Sequence, residues 1–178
     1  MPTNAPQVSL ITPDEVKAQL MRHLQLPHND RYTQFYVNIT SGSELYQGDV
    51  FRVRKHLKRK LQTDFVLLVS NTCDMQPDRE DKILAIPLRQ LPNPSQVHHS
   101  QRSKLSALVD NLTKYENTSF FYLPPINVAH PLQGFPGLYG AFGDIVSLSS
   151  EEISKCFNSK PEDRVLSLKE TGFYILLI

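Results

Sequence analysis

The chain has 178 residues, of which 40% are hydrophobic and 21% are charged. These values suit one globular domain with a sizeable core and exclude a globally disordered chain. Lysine and arginine outnumber aspartate and glutamate by only 19 to 18, so bulk charge indicates neither a nucleic acid nor a membrane partner, and only a local patch would indicate one.

Cysteine content and the apolar runs restrict the cellular setting. The two cysteines, Cys73 and Cys156, are too few for a disulfide framework or a four-cysteine zinc site. Residues 1–7 lack the basic and apolar regions of a signal peptide, and no apolar run approaches the roughly 20 residues that cross a bilayer. We therefore expect a cytoplasmic protein with no membrane partner.

The first half of the chain predicts one helix followed by short strands. Thr12-Pro13-Asp14-Glu15 combines an N-cap, a first-turn proline and an acidic third residue, which predicts a helix over 13–25. Residues 65–69 (FVLLV) are apolar on both faces, as is typical of a central strand buried on two sides. With it, alternation and short apolar runs predict four strands, over 32–40, 45–53, 65–69 and 83–88.

The second half adds helices to two further strands. Four apolar residues at helical spacing between Leu105 and Leu112 predict an inserted helix over 103–115. Strands are predicted over 120–123 and 144–148, with a Gly- and Pro-rich loop between them over 126–143. Capping boxes that begin at Ser149 and Ser167 predict two C-terminal helices, the second of which runs to residue 178.

The order of these elements predicts the fold class. Strands cluster before helices and do not alternate with them, which favours an α+β fold with a mostly antiparallel, curled sheet over a doubly wound fold. We expect a single domain over 1–178, with a small β-barrel-like core over about 32–90. The N-terminal helix, the inserted helix and the C-terminal strands and helices over 120–178 would surround that core.

The end of the central strand carries a run of small polar residues. Ser70, Asn71, Thr72, Cys73 and Asp74 follow directly after the apolar stretch, where a rigid strand can present reactive groups. As a nucleophile, Cys73 would need a nearby cation such as a histidine, because Asp74 alone disfavours the thiolate. The alternative is a turn in which the polar side chains bond the backbone and Cys73 packs as a small apolar residue.

A basic run follows the second predicted strand. Its charge is concentrated in a chain of net charge +1, and we interpret the stretch 55–60 as a loop. The run predicts a phosphate-binding patch or, alternatively, a solvated hairpin end that resists edge pairing. The candidate nucleic-acid-binding residues are Arg52, Arg54, Lys55, Lys58, Arg59, Lys60 and, from a later strand, Arg89.

Two further features carry weaker signals. His98 and His99 are adjacent, so their side chains point in different directions and rarely bind one metal together, and His130 lies far downstream. The run GFPGLYGAFG over 134–143 matches no phosphate-loop pattern and indicates a lid or an ordered surface loop. We therefore expect neither a metal nor a cofactor.

Three motifs together resemble a known family. Residues 46–51 (YQGDVF), 65–71 (FVLLVSN) and 83–88 (ILAIPL) follow in an order and spacing similar to the PemK/MazF-like toxins. The chain also resembles uncharacterised bacterial proteins that carry a Ser-x-Thr-Cys-Asp loop, a Phe-Tyr-Leu-Pro-Pro strand and an Arg-Val-x-x-Leu segment. The resemblance covers about a quarter of the chain and implies an SH3-like β-barrel.

The resemblance also implies a function. Family members that cleave RNA use an arginine just before the second barrel strand and a Ser or Thr just after the third, and here those places read Thr63-Asp64 and Arg89-Gln90. It implies an RNA-binding protein of a family whose members include endoribonucleases. A metal-independent ribonuclease needs a general base, a general acid and a cation, for which Asp49, Asp74 and Arg52 or Arg89 are the candidates. The alternative is a non-catalytic interaction or regulatory module of a toxin–antitoxin or defence system, with a protein partner or as a homodimer.

Overall fold

The computed structural model describes residues 18, 36–37, 45–70, 75, 82–92, 96–113, 119–123, 137–149, 151–153 and 163–168. Within these residues, strands dominate, two longer helices accompany them, and residues 151–153 are also helical. The strands are β1 (Tyr36–Val37), β2 (Asp49–Arg52), β3 (Phe65–Leu68), β4 (Lys82–Gln90), β5 (Phe120–Leu123), β6 (Leu138–Ala141), β7 (Val146–Ser149) and β8 (Arg164–Leu168). The helices are α1 (Lys55–Leu61) and α2 (His99–Thr113), and Phe142–Asp144 forms a 3-10 turn.

The strands form one curled antiparallel sheet. Their order is β1-β8-β2-β3-β4-β6-β5, and β7 pairs with β4 beside β6. Every strand pair in the described residues is antiparallel. The α+β class with a mostly antiparallel, curled sheet is therefore confirmed. No helix in the described part of the chain is long and apolar enough to span a membrane.

The core lies on both faces of β3. Phe65 and Leu67 point to one face, where they join apolar side chains of β2, β4, β5, β6 and β8. Val66 and Leu68 point to the other face, where they join residues of α1, β4 and β7. Because successive side chains of a strand alternate between faces, a strand buried on both sides must be apolar throughout. The expectation of a central strand buried on two sides is confirmed.

The basic stretch after β2 is a helix, and its interpretation as a loop was wrong. Lysine, leucine and arginine favour helices, and Leu57 is buried against β3 while Leu61 packs beside it. Gln62 ends the helix in the left-handed conformation, with φ of 52°, and its N–H donates to the Lys58 carbonyl. Two apolar residues one turn apart gave too weak a pattern among the charges to predict this helix.

The predicted loop over 126–143 contains strand β6. Gly140 lies in that strand, and a Cβ there would collide with Ile86 and approach Leu88 Cδ2 to 3.1 Å. The 3-10 turn that follows β6 shifts the pairing along β4: Arg89 pairs with Tyr139, whereas Ala85 pairs with Val146. Between these two pairs, the chain advances four residues along β4 but seven residues from β6 to β7. Pro87 lies opposite this irregularity, which suits a residue that cannot donate a ladder hydrogen bond.

The remaining helix predictions have mixed outcomes. Ser167 and Leu168 lie in β8, so the predicted helix does not begin at Ser167. A helix is present at His99–Thr113, near the prediction of 103–115. The predicted capping box at Ser149 is formed, since Ser149 N–H donates to Glu152 Oε2 (2.9 Å) and Glu152 N–H to Ser149 Oγ (3.2 Å). The predictions for 13–25 and 32–40 lie largely outside the described residues.

Candidate functional site

A pocket of about 150 Å³ opens where β3 begins and β4 ends. We call it the β3–β4 pocket, and its lining residues are Gln62, Thr63, Asp64, Phe65, Leu88, Arg89 and Gln90. Phe65 and Leu88 are buried and form its floor by pairing across the two strands. The lining thus combines a carboxylate, a guanidinium, two amides and a hydroxyl above an apolar floor.

The hydroxyl of Thr63 holds the two walls of the pocket together. It donates to the Leu88 carbonyl and accepts a hydrogen bond from the Phe65 N–H (3.3 Å). Thr63 is buried, so these bonds form away from water, where an unmade polar contact is costly. The hydroxyl therefore serves to position β3 against β4 directly beside Arg89.

Two ion pairs each include one residue that lines the pocket. Lys58 Nζ pairs with Asp64 Oδ1, and Arg89 Nη2 lies 3.0 Å from Asp144 Oδ2. The side chains are 54% and 58% exposed in the first pair, and 60% and 44% exposed in the second. Such exposed pairs contribute about 0–1 kcal/mol each, because water and salt screen them. The four side chains therefore remain accessible to an outside ion.

The other members of the basic run are distributed around α1. Arg54 Nε donates to Asp163 (2.7 Å), and Lys60 Nζ donates to Glu152 (2.7 Å). The guanidinium of Arg52 lies 5.7 Å from the centre of the Phe65 ring, which places it near the pocket floor. Arg59 is exposed on α1. The side chain of Lys55 lies outside the described residues.

Asp49 occupies a different place, in a buried cluster between β2 and β8. It has no exposed surface, and its carboxylate accepts hydrogen bonds from the Tyr46 N–H (2.9 Å) and from the Ser167 hydroxyl. Arg164 Nε forms an ion pair with it at 3.2 Å. Burial raises the pKa of the Asp49 carboxyl, while the Ser167, Tyr46 and Arg164 contacts oppose that rise. The cluster does not line the β3–β4 pocket, and the catalytic role of Asp49 stays a prediction.

A β-bulge directs Arg164 towards Asp49. Val50 pairs with Leu166, but Phe51 pairs with Arg164, so β8 contains one extra residue, Val165. Because of the bulge, Val165 and Leu166 both lie in the cluster that contains Phe65 and Leu67, and Arg164 points to the opposite face. The guanidinium there lies 5.5 Å from the Phe51 ring centre. Sequence reasoning missed this role, because no local pattern of residues 164–168 indicates a bulge.

The polar loop after β3 is described only at its start. Ser70 is buried, and its hydroxyl accepts a hydrogen bond from the Leu84 N–H (2.8 Å), so it joins the ends of β3 and β4. Asn71, Thr72, Cys73 and Asp74 lie outside the described residues. Their catalytic roles, and that of Ser70, stay predictions.

The described residues contain no group of three or more His, Cys, Asp or Glu side chains that could hold a metal ion. Comparisons with protein-family models, with curated proteins and with solved structures found no match to this chain. The function must therefore be argued from the geometry of the β3–β4 pocket and its charged surroundings.

Proposed function

We propose that the protein binds single-stranded RNA at the β3–β4 pocket and the adjoining face of α1. The observation that carries the proposal is that Arg89 lines the pocket and that Lys58, from a separate element, pairs with Asp64, another lining residue. Phosphate contacts from lysine and arginine provide most of the affinity of sequence-independent nucleic-acid binding. The amides of Gln62 and Gln90 in the pocket lining offer hydrogen bonds to a base.

The local charge supports an anionic ligand. The seven cations named for nucleic-acid binding contact four carboxylates among the described residues: Asp64, Asp144, Glu152 and Asp163. The basic residues are nevertheless concentrated in and beside α1, in a chain whose net charge is +1. Such a concentration raises the local density of polyanions and speeds their association.

The resemblance to PemK/MazF-like toxins also favours the β3–β4 pocket as the RNA-binding site. In the family the arginine precedes the second barrel strand and the hydroxyl follows the third, whereas here Thr63 precedes β3 and Arg89 lies near the end of β4. Both residues line the same pocket. In RNA cleavage at this site, the ribose 2′-hydroxyl would lose its proton to Asp64 as the 2′-oxygen attacks phosphorus. Arg89 would stabilise the phosphorane charge, and the 5′-oxygen would leave with a proton from water.

Fluorescence anisotropy with a labelled single-stranded RNA tests the proposal. We expect affinity to fall steeply with salt, and Arg89→Ala to weaken binding about ten-fold and to reduce the magnitude of the salt slope by about 0.7. Lys104→Ala, an exposed cation on α2 away from the pocket, is the matched control. Absence of binding at low salt would exclude this function, and gel analysis of the same mixtures reports cleavage.

A second proposed function is a non-catalytic interaction or regulatory module. It is favoured because Asp49 and Ser70, the two described members of the catalytic set predicted from the sequence, already use their oxygens in hydrogen bonds. An RNA-cleaving activity that is lost in Asp74→Asn or Cys73→Ala would exclude this alternative. Retained RNA binding without turnover in the native protein would support it.

A further inference from the structure

Two residues that line the β3–β4 pocket, Asp64 and Arg89, each form an ion pair with another side chain of the protein. Lys58 pairs with Asp64 and Arg89 with Asp144. The partners come from separate parts of the chain: Asp64 precedes β3, and Asp144 ends the 3-10 turn, 55 residues after Arg89. A cation paired with a carboxylate is thus found at two lining residues of one pocket.

These pairs are in a position to exchange partners. All four side chains are at least 44% exposed. A phosphodiester carries the same charge as a carboxylate, and the planar guanidinium of Arg89 can form two parallel hydrogen bonds to phosphate oxygens. Because an exposed ion pair is stabilised only slightly, a phosphate that reaches the cation displaces the carboxylate at small cost.

We infer that Asp64 and Asp144 are internal competitors of RNA, and that Lys58 and Arg89 form two phosphate subsites on either side of the pocket. The inference rests on the proposed function. In the free protein the carboxylates occupy the cations, and bound RNA replaces them at both places. The competition lowers affinity at each subsite and leaves the fold unchanged, because the main-chain bond from Val53 N–H to the Asp64 carbonyl does not involve the carboxylate.

The test is the affinity of Asp64→Asn and Asp144→Asn for a labelled single-stranded RNA, measured by anisotropy at low salt. We expect each variant to bind about two- to five-fold more tightly than the native protein, the range that an exposed ion pair allows. Asp110→Asn, at an exposed position of α2 outside the pocket, is the control for the added unit of charge.

A double-mutant cycle identifies the cause. If Asp64 acts by occupying Lys58, Asp64→Asn tightens binding in the native background but not in Lys58→Met. Likewise, Asp144→Asn is expected to tighten binding in the native background but not in the Arg89→Met background. Equal gains in both backgrounds would mean a general charge effect and would overturn the inference.

The outcomes separate the inference from the proposed function. If the native protein and all variants fail to bind RNA, the proposed function is excluded, and the inference with it. If the native protein binds and the two pocket variants match Asp110→Asn, RNA binding stands and the internal competition is excluded. Because the two aspartates lie in different elements, one poorly folded variant leaves the other test intact.

Discussion

Arg164 Nε lies 3.2 Å from Asp49 Oδ2, and the two side chains are 6% and 0% exposed. The pair joins β8 to β2 on the face opposite the cluster that contains Phe65 and Leu67. The rings of Tyr46 and Phe51 lie near the guanidinium. A buried ion pair of this kind adds little net stability over an apolar pair, but removal of one partner leaves a buried charge.

Arg164→Met is therefore expected to destabilise the protein by about 3–5 kcal/mol. The carboxylate of Asp49 would keep the Tyr46 and Ser167 bonds but lose its counterion. Urea denaturation measures the change. Arg59→Met, on the exposed face of α1, is the control and should change stability by less than about 0.5 kcal/mol. A loss below about 1 kcal/mol for Arg164→Met would contradict the importance given to this pair.

The pKa of Asp49 predicts a pH dependence of stability. Burial raises the folded-state pKa above the ordinary value of 3.8, so the folded state holds this proton more tightly than the unfolded state does. The contribution is fully present below pH 3.8 and is lost as pH rises through the folded-state pKa. We expect the unfolding free energy of the native protein, relative to Asp49→Asn, to decrease over that rise. A difference that stays constant or increases with pH would contradict a raised pKa of Asp49 in the folded state.

Glu152 is expected to show the opposite dependence. The hydrogen bond from Lys60, then that from the Ser149 N–H, lower its pKa below the ordinary value of 4.5. Its contribution is present above pH 4.5 and is lost as pH falls through the folded-state pKa. Denaturation of native protein and Glu152→Gln over an acidic pH series measures this. The advantage of the native protein should shrink with acid, and an advantage independent of pH would refute the assignment.

Gly140 and Gly143 form a matched pair for the packing of β6 on β4. A Cβ on Gly140 would collide with Ile86 and lie 3.2 Å from the Pro87 carbonyl, whereas a Cβ on Gly143 meets nothing within 4 Å. Gly140→Ala should cost about 1–3 kcal/mol, because overpacking displaces neighbouring side chains and backbone. Gly143→Ala should change stability by less than about 0.5 kcal/mol. Thermal unfolding of both variants checks the contrast.

Local pattern accounts for part of the fold. The apolar run of β3 is readable because burial on both faces removes polar residues from the strand. Helix α1 was not readable, because its contact with the core depends on Leu57 among many charged residues. Strand β6 was hidden by Gly140, whose place is required by the distant side chains of Ile86 and Leu88. Helix α1 and strand β6 were not predicted because their secondary structure depends on packing against distant residues more than on local propensity.

The candidate site, like the fold, was only partly predictable from the sequence. Thr63, Asp64, Arg89 and Gln90 were noted from the sequence, but only the pairing of β3 with β4 brings them to one pocket. The partner of Arg89, Asp144, lies in a stretch interpreted as the start of a strand. Nothing in the neighbourhood of either residue indicates the other, because the contact forms through the turn that follows β6.

The ladder between β2 and β8 has a consequence for synthesis of the protein on the ribosome. Asp49 and Ser167 are 118 residues apart, so the carboxylate leaves the ribosome long before its partners Arg164 and Ser167 exist. Loop closure over this distance costs entropy that local contacts do not repay, and such long-range pairings form slowly. Until residues 164–168 appear, the nascent chain presents β2 with one unfilled edge, a place where chaperones or neighbouring nascent chains can pair with it.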